Sequence, residues 1–92
     1  MEKNYLIQLT QNLYRLTLLF PKKEPLRYKM REVADDILRE NSSPGILEKL
    51  GALDSFFEVV KTQNWVAIQD VLNLQTEYSK LSGEINPQSS LP

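Results

Sequence analysis

The chain has 92 residues, 41% of them apolar, and a formal net charge of −1. That length holds one domain with one modest core, and that composition argues against wholesale disorder. Cysteine and histidine are both absent, which excludes disulfides, thiolate nucleophiles, cysteine zinc sites and imidazole acid–base chemistry.

Four apolar stripes follow, each stepping by three and four residues, the spacing that aligns side chains on one face of an α-helix. The first, Leu6, Leu9, Leu13, Leu16 and Phe20, predicts a helix from about Lys3 to Phe20. Its apolar face is broad, because Ile7, Tyr14, Leu18 and Leu19 lie outside the seam. Pro21 ends it, since the residue before a proline is pushed out of helical geometry. Phe20 is predicted to be buried at that corner. Pro25 then suits the first turn of a second helix, where a missing N–H costs nothing.

That second helix, about Pro25 to Glu40, carries Leu26, Met30, Val33 and Ile37. It starts basic and ends acidic, against the helix dipole at both ends. Two readings stand: the charges serve contacts elsewhere, or pairs such as Arg31 with Asp35 offset the cost within the helix. Asn41-Ser42-Ser43-Pro44-Gly45 is the clearest break. Ser43 is the expected cap of a third helix, with Pro44 at its first position and Thr62 near its end. Its stripe is Ile46, Leu50, Leu53, Phe57 and Val60. Gly51 either costs this helix stability or admits close approach of a neighbour. Gln63-Asn64-Trp65 makes the next corner. Val71, Leu74, Tyr78, Leu81 and Ile85 mark a fourth helix from about Ala67 to Leu81 or Ile85.

Short connections make consecutive helices antiparallel. The expected fold is all-α, an up-down-up-down four-helix bundle over residues 1–85, followed by a patternless tail at 86–92. Two helical hairpins exchanging about Asn41 to Gly45 are the alternative. The first residues lack the basic head and apolar body of a signal peptide, and Leu16 to Phe20 is far too short to span a bilayer. A cytoplasmic location and no membrane partner are expected.

Candidate chemistry is sparse. Glu32, Asp35, Asp36 and Glu40 form an acidic cluster that reads best as a solvated face, and no metal or other cofactor is expected. No nucleophile elbow or phosphate-cradling glycine loop occurs, so the chain reads as a non-enzyme with no evident small-molecule substrate. Charge is uneven: residues 1–46 balance at +2 and residues 47–92 at −3. Lys22, Lys23, Arg27, Lys29 and Arg31, with Phe20 and Tyr28 among them, are candidate nucleic-acid contacts, because cations and aromatics together meet phosphates and bases. The other reading is a solvated corner. Phe56 sits beside Phe57, and only one of two adjacent helical residues faces the seam. With Val59 three residues on, Phe56 makes a candidate protein interface. Trp65 either closes the bundle end or anchors a partner.

The stretch Leu13-Tyr14-Arg15-Leu16-Thr17-Leu18-Leu19-Phe20-Pro21-Lys22-Lys23-Glu24 resembles a bacterial four-helix-bundle family. That family includes proteins encoded in ribosomal RNA intervening sequences and accessory variability proteins of diversity-generating retroelements. Its members typically carry Tyr-x-Leu-Thr, then Phe-Pro and an acidic residue, matched here by Tyr14, Leu16, Thr17, Phe20, Pro21 and Glu24. A double arginine usually follows in the second helix. Here Arg31 matches the first and Glu32 stands at the second. The resemblance implies a homo-oligomer with a basic surface and, in retroelement members, binding of nucleic acid and a reverse transcriptase. The residues themselves favour an interaction module that self-associates or docks on a protein. An accessory nucleic-acid-binding protein is the alternative.

Overall fold

A computed structural model describes residues 3–40 and 42–85; the tail expected at 86–92 lies outside them. Four helices follow in order: α1 (Lys3–Thr17), α2 (Pro25–Arg39), α3 (Ser43–Lys61) and α4 (Ile68–Ile85). Each packs against the next, and α1 meets α4 to close a four-helix bundle. No described helix is long and apolar enough to cross a membrane.

The sequence stripes become the core. Leu6, Leu9, Leu13, Leu16 and Phe20 are buried, as are Ile46, Leu50, Leu53, Phe57, Val60, Val71, Leu74, Tyr78 and Leu81. In α2 the register differs from expectation. Ala34 takes the central position between Met30 and Ile37, while Val33 packs on the flank. A small residue there lets the neighbouring helices approach, and the larger Val33 covers their edge.

Helix α1 ends at Thr17, three residues before the expected Phe20. The Thr17 hydroxyl lies 2.9 Å from the Leu13 carbonyl and 3.0 Å from that of Tyr14. Such back-bonding competes with the helical ladder. Beyond it, Leu19 N–H donates to Leu16 and Phe20 N–H to Thr17, each at 3.1 Å. This is 3₁₀-type winding. It swings the Phe20 ring inward to meet Trp65, with ring centroids 4.9 Å apart. One contact thus ties the α1–α2 corner to the α3–α4 corner and marks both as the same end of the bundle.

The caps follow side-chain chemistry. Glu24 accepts from Leu26 N–H at 3.2 Å and starts α2 ahead of Pro25. At α3 the cap is Ser42, not Ser43; its hydroxyl accepts from Gly45 N–H at 3.2 Å, so Pro44 falls at the second helical position. That shift costs nothing, because the first N–H groups of a helix have no intrahelical partner. A Cβ on Gly51 would meet nothing within 4 Å, so this glycine admits no close helix approach.

Candidate interaction surface

The charges of α2 are divided between neighbouring helices and one ion pair within the helix, Asp36 with Arg39. Arg31 reaches across to α1, donating from Nε to the Thr17 hydroxyl at 2.8 Å and from its terminal nitrogen to the Tyr14 carbonyl at 3.1 Å. Its guanidinium lies 4.8 Å from the centre of the Tyr14 ring. Tyr14 in turn donates its hydroxyl to Asp35 at 2.8 Å, which raises the Tyr14 phenol above its ordinary value. Arg31 and Asp35 therefore bracket Tyr14 instead of pairing along α2. Tyr14, Thr17 and Arg31, three residues that carried the family resemblance, form one polar clamp between α1 and α2. The Tyr14 carbonyl already accepts from Leu18 N–H at 3.1 Å, so Arg31 adds a donor there and ties α2 to the end of α1. Asp36 pairs with Arg39 and, at 3.4 Å, with Lys49 of α3, and the Arg39 contact leads in holding its carboxyl below the usual range.

These contacts divide the basic cluster. Lys22, Lys23 and Lys29 are exposed. Arg27 is half-buried, and its Nε is out of solvent without a hydrogen-bond partner. Arg31 is committed to the clamp. The three lysines remain at the corner end of α1 and α2, where a phosphate can reach them.

The aromatic candidates divide as well. Phe56 is half-buried against the core, Trp65 is half-buried on Phe20, and Val59 is 48% exposed. Larger exposure lies elsewhere. Leu18 is 60% exposed, Leu19 62%, Tyr28 55% and Ile68 54%, with Leu72 also open. Leu18 and Leu19 follow the last turn of α1, Tyr28 lies in the first turns of α2, Val59 in the last turns of α3, and Ile68 and Leu72 in the first turns of α4. All six share the end that the Phe20–Trp65 contact defines; Ile7, exposed in the first turns of α1, lies toward the other end. The apolar breadth of α1 was legible as leucines outside the seam. Ile68 and Leu72, one turn apart on α4 and outside its seam, carry the same signal in the sequence.

Comparison with known protein families, curated proteins and solved structures returns no match.

Proposed function

We propose that this chain is a non-catalytic interaction module: a small helical bundle that self-associates or docks on a protein partner through its apolar end. The exposure of Leu18, Leu19, Tyr28, Val59, Ile68 and Leu72, all toward one end of the bundle, carries this reading. Single exposed apolar residues are ordinary on any protein, whereas several at one end, with exposed Lys22, Lys23 and Lys29 at its α1–α2 corner, suit a contact surface. The rim charges give orientation, and the leucines gain stabilisation on leaving water. The family resemblance supports the same reading, since it implies a homo-oligomer. Sedimentation of the full chain, with affinity capture of partners, tests it. Concentration-dependent association or a stoichiometric protein complex supports it. A strict monomer that captures no protein contradicts it.

The second reading is an accessory nucleic-acid-binding protein using Lys22, Lys23, Arg27, Lys29 and Arg31. It draws support from the three exposed lysines, but Arg31 would have to leave the clamp to contribute. Retention on heparin and an RNA gel shift that weakens steeply with salt would favour it.

A further inference from the structure

Of the four seams between helices, α1–α4 is packed least tightly. A groove of about 360 Å³ runs along it, with Leu16 and Leu74 among its lining and Leu19 at its open end. Its two walls carry opposite charge. Arg15 projects from the α1 side and Asp70 from the α4 side, both exposed. Although they border one groove, neither side chain makes an ion pair or hydrogen bond with a described residue. Glu77, on the same wall as Asp70, is already occupied by the Tyr5 hydroxyl at 2.9 Å and by Lys80 at 2.8 Å.

We propose that a second copy of this chain covers the groove, related to the first by a two-fold axis running along it. The inference rests on the self-association arm of the proposed function. Rotation by 180° about such an axis exchanges the walls while keeping their height. Helix α1 of one copy then lies over α4 of the other, and Arg15 meets the partner's Asp70. The symmetry makes the contact twice, as an isologous interface requires. Leu19, at the open end of the groove, leaves water beside the two charge pairs, above a floor of Leu16 and Leu74 that is already buried in each copy. A foreign partner would have to match both signs in this order. A second copy supplies them automatically, and this self-complementarity selects it as the occupant.

Both charges also suit their own helices, Arg15 in the last turn of α1 and Asp70 in the first turn of α4. A role limited to the helix dipole acts within one chain and is indifferent to concentration. The dimer is not.

Sedimentation of the full chain with Arg15→Asp, Asp70→Arg and the double exchange separates these roles, with circular dichroism confirming the fold. Each single exchange sets like charges face to face twice and should weaken the dimer at least about tenfold. The double exchange should restore it, and rising salt should loosen the wild-type dimer. Arg15→Gln, which adds no repulsion, should weaken it less; it serves if a reversed charge unfolds the chain. A wild-type monomer overturns the proposal but leaves docking on another protein standing. A dimer indifferent to both single exchanges, or one the double exchange does not restore, also overturns it. Those results leave self-association standing on another surface.

Discussion

Phe20 links two corners of the bundle with one side chain. It is 3% exposed and its ring rests on Trp65, so it plugs the end of the core and joins two corners at once. Phe20→Ala should cost roughly 3–5 kcal/mol, as for other buried aromatic truncations. In a domain of this size that is a large part of the total. Urea or thermal unfolding checks it; an unchanged midpoint would mean that the ring is not part of the core. Burial of Phe20 was legible from its place in the first stripe. The role of Arg31 was not. Along the sequence it reads as one more member of a basic run, with Asp35 as its natural partner one turn away. Its actual partners, Thr17 and the Tyr14 carbonyl, are 14 and 17 residues distant and depend on how α1 ends.

Among the elements, the existence and order of the helices were legible because each stripe is long and regular. Their ends were less so. Pro21 is the strongest local stop signal for α1, but the helix gives way to 3₁₀-type winding at Leu18 to Phe20 before reaching it. The cap of α3 moved from Ser43 to Ser42 because two adjacent serines offer the same chemistry, and pattern alone does not choose between them. The fate of Gly51 was also open. With nothing within 4 Å of an added Cβ, it contributes only backbone freedom to the middle of α3. Gly51→Ala should therefore stabilise the protein by about 0.5–1 kcal/mol, through helix propensity and a less disordered unfolded chain. Denaturant unfolding measures this. A loss of stability would show that α3 and a neighbour approach more closely than described.

The whole molecule inherits its pH response from a few groups. Asp36, Glu58 and Glu77 all have lowered carboxyl values, caused first by hydrogen bonds from Arg39, Gln75 and Lys80 respectively. The folded protein holds these protons less tightly than the unfolded chain, so acid favours unfolding. Stability should be fully present above the ordinary carboxylate range, about pH 4, and fall as pH drops below it. At the other extreme, burial raises the Tyr78 phenol, the Asp35 contact raises Tyr14, and burial with the Glu77 contact raises Tyr5. Here the folded state keeps its protons longer, so stability present below about pH 10 should be lost as pH rises beyond it. Thermal midpoints across pH read both limbs, and Tyr78→Phe should blunt the alkaline one. Bundle architecture was legible at this scale because helical periodicity encodes it directly. The apolar end was only partly so, because its residues come from four separate segments that meet only after folding. The central claim, that this end is a contact surface, is tested most directly by equilibrium sedimentation of the full chain across micromolar concentrations, beside a Leu18→Ser, Leu19→Ser variant. The account predicts that the wild-type mass rises with concentration, or shifts with a captured protein, while the folded variant stays monomeric and captures none. A wild type that remains monomeric and unpartnered, or a variant that associates as well as the wild type, would contradict it.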